Sequence, residues 1–440
     1  MESAVNEGTA ELGGCVDQKP QVPIARSYGS LETLLGGSCA AVLKSFCHIL
    51  LEMTEEEAQV HILDYYEGRK FTLRIPSQDE RAPMLETVPY SNHPKVMYLS
   101  IMNEHRLDDF IDFHEETHTY SLVRRNVNGA IIEKLHKFSQ SVSAVWSKNF
   151  DQFDADGVLA RCVPKWEQTE SHKNHHLVRF MTRHILPDGA PLSQCNSIFK
   201  QFWSHNGLLA SSEGTSMHRA IEYFLNLAVY DGVWFPGSTS LAARLSEIST
   251  MSVELSHFAI WIQEFCFGDR WGAQKYLIPY RTELSMWDST QHGYGSMVAG
   301  QADCIFRISE EPEFHLITPR YRKHARIDER PALVMVDWKR VADPLGPGMQ
   351  SYRNGAGLCG DIPDTSYSHY AVQQSLYKAI LQQNYGFKIE HCYLAQFHPG
   401  LDGPRTIELN DPIFDVIAVR LLQKEATNVQ KEAANIELAM

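Results

Sequence analysis

The chain has 440 residues, enough for two domains or one large one, and its 43% apolar and 21% charged residues suffice to bury a substantial core. That balance excludes a disordered, collagen-like or wholly coiled-coil protein. The formal charge of −14 argues against a surface that coats nucleic acid throughout, but leaves room for an acidic metal site beside a local basic track.

Residues 1–25, opening MESAVNEGTAELGG, are acidic and polar and read as a flexible tail. They have neither the basic and apolar regions of a signal peptide nor the Arg-rich character of a transit peptide. Residues 26–105 form an accessory, mostly helical region. There LETLLGGSCAAVLKSFCHILLEM has apolar positions at helical spacing, and Thr54 offers a cap to TEEEAQ. From 106 to 410 the pattern is that of an α/β domain. FHEETHTYSLV reads as a strand or hairpin. SVSAVWSKNF runs into FDADGVLARC, where Asp154 or Asp156 is placed to cap a short helix. Residues 194–209 predict a helix that ends in a turn at SSEG. GTSMHRAIEYFLNLAVY predicts a second, with Met217, Ile221, Phe224, Leu225 and Ala228 on one face.

YLIPYRTELSMW alternates as a strand does, DSTQHGYGS is a turn and MVAGQADCIFRI a second strand, with FHLIT extending the sheet. ALVMVDWKR is largely apolar and therefore a central strand. A Gly/Pro-rich loop from 342 leads to the helix TSYSHYAVQQSLYKAILQQNY and the strand IEHCYLAQF. Pro412 opens a last helix within 411–440. The order α-β-β-β-α-β predicts a mixed sheet with helices on each face, preceded by an α-rich extension. No apolar run approaches a membrane span, and the nine cysteines lack any CxxC or zinc-ligand spacing. A soluble intracellular protein of nucleus or cytoplasm, with reduced structural thiols, is expected.

The chemistry concentrates on the strands. Asp337 and Lys339 end an apolar strand on the same side of it, and unpaired buried charge is unfavourable. Taken alone, Asp-x-Lys reads as a strand-end salt bridge. Asp303, mid-strand, supplies a second carboxylate; Gly300 and Ala302, read as facing away from it, leave room for a packed helix. Two carboxylates on neighbouring strands make an oxygen-rich Mg²⁺ site, and removing either should leave the metal-free protein as stable or more so, by relieving repulsion. His218 and Glu222 lie four apart on one helix: His218 is a candidate ligand with Glu222 as its neighbour, or the two are a surface pair. Glu283 has a secondary role, in the site or paired with a basic residue. Gln373 and Tyr377, also four apart, can reach a phosphate or belong to an ordinary amphipathic helix. Between the Asp303 and Asp337 strands, Arg320, Arg322, Lys323, Arg326 and Arg330 fall within eleven residues, the best candidate for a phosphate-binding patch.

G-T-S-M-H (214–218), A-G-Q-A-D (299–303), V-D-W-K (336–339) and Q-Q-S-L-Y (373–377) together resemble the RecB-like branch of the PD-(D/E)XK nucleases, in that family's order. FHEETHTYSLV, SVSAVW and FDADGVLARC resemble a subgroup found in large eukaryotic DNA viruses and protists. The resemblance covers roughly residues 113–400 and implies a restriction-endonuclease-like core. It implies Mg²⁺ or Mn²⁺ on His218, Asp303 and Asp337, Lys339 at the scissile phosphate, and Gln373 and Tyr377 on substrate. DNA is the implied substrate. No iron–sulfur cluster is expected, since only Cys392 follows Cys359, and any helicase or replication or repair partner would be a separate chain. A catalytically inactive DNA-binding or scaffold protein of the same fold is the alternative; the intact carboxylate pair with lysine argues against it.

Overall fold

The fold is that of a computed structural model, which describes residues 97–439 apart from 115–116, 127–128, 139, 173, 185, 273–274, 290–292 and the segment 310–330. The expected tail, the helix expected around Thr54, nearly all of the region 26–105 and FHLIT therefore lie outside the described residues.

A short helix α1 (Tyr98–Met102) precedes a small antiparallel sheet of β1 (Ile111–His114), β2 (Thr119–Arg125) and β3 (Ile131–Lys137). The hairpin expected at FHEETHTYSLV is β1–β2; β3 was not anticipated, because all its residues are exposed and no apolar alternation marks it. The two-residue β4 (Gln140–Ser141) leads into α2 (Val142–Ser147), whose first turn is capped by the Ser141 hydroxyl accepting from Ala144 N at 3.1 Å. Asp154 caps α3 (Ala155–Trp166), accepting from Gly157 N at 2.9 Å. Helix α4 (His175–His184) follows.

The two helices expected on either side of SSEG are one helix of 35 residues, α5 (Asn196–Tyr230). Through the polar stretch Thr215 and Ser216 donate their hydroxyls back to the carbonyls of Ser211 and Ser212, both at 3.0 Å, so these side chains are satisfied within the helix. Helices α6 (Thr239–Ser249) and α7 (Val253–Trp261) come next, capped by Ser238 and Ser252, and α7 runs into a π turn (Ile262–Cys266).

The main sheet is mixed. It comprises β4, β5 (Tyr276–Trp287), β6 (Val298–Ser309), β7 (Ala332–Lys339), β8 (Lys388–Gln396) and β9 (Arg405–Glu408). Antiparallel β5 runs along one edge of β6. The other edge of β6 pairs with β4 at Val298–Ala299 and with β7 at Cys304–Arg307, so Gly300 to Asp303 have no strand beside them there. Strand β7 is central, flanked by antiparallel β6 and parallel β8. Helices α8 (Ser366–Asn384) and α9 (Pro412–Ala439) complete the fold. On one face Phe224, Phe258, Trp261, Val334 and Trp338 join α5 and α7 to the sheet. On the other, Val142, Met335, Leu376, Ile380 and Leu421 join α2, α8 and α9 to it. The molecule is thus an α/β protein with helices on both faces of a mixed sheet. Among the described residues no helix is long and apolar enough to cross a membrane.

A candidate metal centre at a fork in the sheet

The β6–β7 ladder stops at Cys304 and Val336, one residue short of Asp303 and Asp337. Beyond that point the strands part, and a side chain replaces the missing ladder bond: Trp338 N–H donates to Asp303 Oδ2 at 2.9 Å. The neighbouring strand reverses at the same level. Thr282 faces α5, where Asn226 donates to its hydroxyl at 2.9 Å, whereas Leu284 packs into the α8-side core. Residues two apart on a regular strand share a face. The reversal occurs at Glu283, whose φ of +44° is the left-handed conformation that non-glycine residues rarely adopt. Backbone of this kind persists where the surroundings impose it, and it clusters at functional sites.

His218 completes the group from α5. Its Nε2 lies 3.0 Å from the Trp338 carbonyl oxygen. A carbonyl can only accept, so Nε2 carries the hydrogen, and in the neutral ring Nδ1 holds a free lone pair. Burial pulls the His218 pKa down to about 4, with the Lys339 charge acting in the same direction, so the neutral form prevails. Nδ1 faces Asp303 Oδ2 at 3.6 Å and Glu283 Oε1 at 4.0 Å. The three residues offer donor atoms that all lie within 4.8 Å of one another. These separations are too long for hydrogen bonds and suit one imidazole and two carboxylates arranged about a shared divalent cation.

Asp337 and Lys339 share a side of β7, as strand alternation requires. Asp337 Oδ2 is 2.5 Å from Lys339 Nζ, and Asp337 Oδ1 accepts from Gln374 Nε2 at 2.8 Å. Lys339 Nζ also sits 4.5 Å from the centre of the Tyr370 ring. Burial pushes the Asp337 carboxyl up to about 7, Asp303 adding to the rise and Lys339 opposing it. Burial likewise raises Asp303, and carries Glu222 up to about 8. For Lys339, burial favours the neutral amine, but Asp337 and Asp303 together outweigh it and hold the pKa above the ordinary value. Burial disfavours the ionised form of these carboxylates, and a divalent cation bound among them would offset that penalty.

The geometry redistributes the expected roles. His218 and Asp303 stand together as expected, but the third member of the group is Glu283 rather than Asp337, whose oxygens are engaged by Lys339 and Gln374. Gln374, not Gln373, touches the carboxylates; Gln373 donates to the Tyr377 hydroxyl at 3.0 Å. Tyr377 is buried against Gly300, where an added Cβ would fall 2.6 Å from Tyr377 Cε1 and 2.9 Å from Val142 Cγ2. Gly300 therefore does admit a close helix, which is α8. The strand pattern could not single out Gln374, Tyr370 or Tyr120, whose hydroxyl pKa is raised by burial and by Glu283 and Asp303. The next residue, Arg340, is clamped between two helices: it pairs with Glu213 of α5, and its Nε lies 2.7 Å from Glu254 of α7.

Arg320, Arg322, Lys323, Arg326 and Arg330 lie outside the described residues.

No family model matches the chain, and no curated protein matches it. Among solved structures, one titled "Crystal structure of SSO0001" is similar over 49% of this chain and 73% of its own, at 15% identity and a TM-score of 0.19.

Proposed function

We propose that this chain is a metal-dependent nuclease with a restriction-endonuclease-like core, hydrolysing phosphodiester bonds of DNA. One observation carries the reading: the sheet forks where His218, Glu283, Asp303, Asp337 and Lys339 converge, and the Trp338 peptide fixes the His218 tautomer so that its lone pair faces two carboxylates. His218, Glu283 and Asp303 would hold Mg²⁺ or Mn²⁺. When bound, the ion supplies an acidified water and offsets charge on the phosphate. Lys339, kept as an ammonium by Asp337, donates to a phosphate oxygen and stabilises charge developing there; held in that pair, it is unsuited to taking up a proton. Gln374 fixes Asp337, and so fixes the direction of the Lys339 charge. Gln373 and Tyr377 shape the wall between α8 and β6. Any helicase or replication or repair partner acts as a separate chain.

The test is cleavage of a panel of single-stranded DNA, duplex DNA and RNA with Mg²⁺, Mn²⁺ or EDTA. Metal-dependent strand scission that disappears in Asp303→Ala and in Lys339→Ala is expected. Nucleic-acid binding without scission under every metal condition would point instead to an inactive scaffold of the same architecture.

A further inference from the structure

Between α2, the loop after it and the start of α8 lies an aromatic cavity of about 480 Å³ that the proposed chemistry does not use. Its walls are Trp146 of α2, Phe150 and Phe153 of the following loop, and His369 in the first turn of α8. Trp146 and His369 stack at 5.0 Å with 30° between their planes, and Phe150 lies 4.2 Å from the same imidazole. His369 is held in place by Asp364, whose Oδ1 lies 2.7 Å from its Nε2. Phe153 is 67% exposed, with Trp203 edge-on to it at 5.2 Å, and offers ring surface to solvent. The polar rim is rich in acceptors: Asp151, which also holds Arg353 at 2.6 Å, Asp154 and Asp364. Each carboxylate has lone pairs beyond those already engaged. The residue after His369 is Tyr370, which covers Lys339, so the same helical turn that lines the cavity also reaches the group assigned to the scissile phosphate.

This chemistry selects its occupant. The rim carries three carboxylates against one cation, Arg353, which Asp151 engages, so it disfavours the phosphate backbone of a strand. Flat aromatic walls accept a planar heterocycle by stacking, whatever its identity. Carboxylates at its edge accept from the exocyclic amino groups of bases, as they do when they read cytosine. A base engaged in a duplex can offer neither its faces nor that edge. Resting on the nuclease reading, we propose that this cavity takes an unpaired nucleobase adjacent to the scissile phosphate, so that the substrate is a single strand or an unpaired end rather than intact duplex.

The experiment is fluorescence anisotropy with the full chain, using a labelled mixed-sequence single strand and a blunt duplex of the same sequence. Ca²⁺ is the sole divalent ion, and the length of the oligonucleotide is checked after each titration. Phe153→Ala, on an exposed ring, and Trp146→Leu, with its melting temperature verified, should each weaken single-strand binding by roughly fivefold to a hundredfold. Blunt-duplex binding should stay as in the wild type. Unchanged single-strand affinity in both variants would overturn the proposal, as would equal losses on the two substrates. Free dCMP competing as well as the oligonucleotide would overturn it too, by making the cavity a mononucleotide site. A wild-type chain that binds neither substrate would instead remove the nuclease reading on which the proposal rests.

Discussion

Asp337, Asp303 and Glu283 occupy one site, yet their removal should leave three different energetic signatures. Asp337→Ala strands the Lys339 ammonium, only 15% exposed, without its partner, and should destabilise the metal-free protein by about 3–5 kcal/mol. For Asp337 this differs from the expectation drawn from the sequence, which weighed only the repulsion between the two carboxylates and not the ion pair with Lys339. Asp303→Ala deletes the acceptor of the Trp338 amide and should cost about 1–3 kcal/mol. Glu283→Gln removes one charge from a crowded group, so metal-free stability should hold or rise. The same change should raise the Mn²⁺ needed for half-maximal cleavage by roughly tenfold or more. Urea unfolding and Mn²⁺ titration calorimetry check all three. A Glu283→Gln variant as unstable as Asp337→Ala would make that residue structural. Lys339→Ala should lower turnover by orders of magnitude while the calorimetric Mn²⁺ affinity is kept, because an ammonium is not a ligand.

At the scale of elements, the site depends on how closely α2 and α8 approach β6 along its unpaired edge. Gly300→Ala should destabilise by about 1–3 kcal/mol through overpacking against Tyr377 and Val142. It should also slow cleavage, because shifting α8 moves Gln374 away from Asp337; thermal melts and turnover on one preparation test both effects together. Arg340→Ala should cost about 3–5 kcal/mol by leaving Glu254 buried without its cation. Strands β5 to β8 and helix α8 were legible from apolar runs and helical spacing, since burial imposes both. The length of α5 was not, because SSEG has the composition of a turn although the helix runs through it. Helices α6 and α7 passed unread, although Ser238 and Ser252 stand at their caps. The site was legible as far as His218, Asp303, Asp337 and Lys339. The rank of Glu283 depended on a left-handed backbone that no spacing reveals, and the choice of Gln374 over its neighbour Gln373 depended on the rotation of α8.

For the molecule as a whole, the carboxylates couple stability to pH. Above about pH 6.5 an unfolded histidine is largely neutral, as is His218 in the fold, so the acids set the slope. Glu222, raised to about 8 by burial, and Asp303, also raised by burial, hold protons in the folded state more tightly than the unfolded chain does. The folded state therefore binds more protons, and stability should fall as pH rises from 6.5 to 8. Mn²⁺ should displace those protons and raise the melting temperature more at pH 8 than at pH 6.5. Calorimetric scans at the two pH values test this, and an equal shift at both would count against it. Trp338 ties the α5 and α7 side of the core to the site: its indole stacks on Phe397 at 5.9 Å and meets Trp261 edge-on at 5.1 Å, while its backbone N–H reaches Asp303 and its carbonyl reaches His218. That backbone N–H is therefore a spectroscopic gauge. A cation on Asp303 draws electron density from the carboxylate, so the backbone amide proton of Trp338 should move upfield in a ¹⁵N-tryptophan-labelled sample while its own indole N–H resonance stays in place.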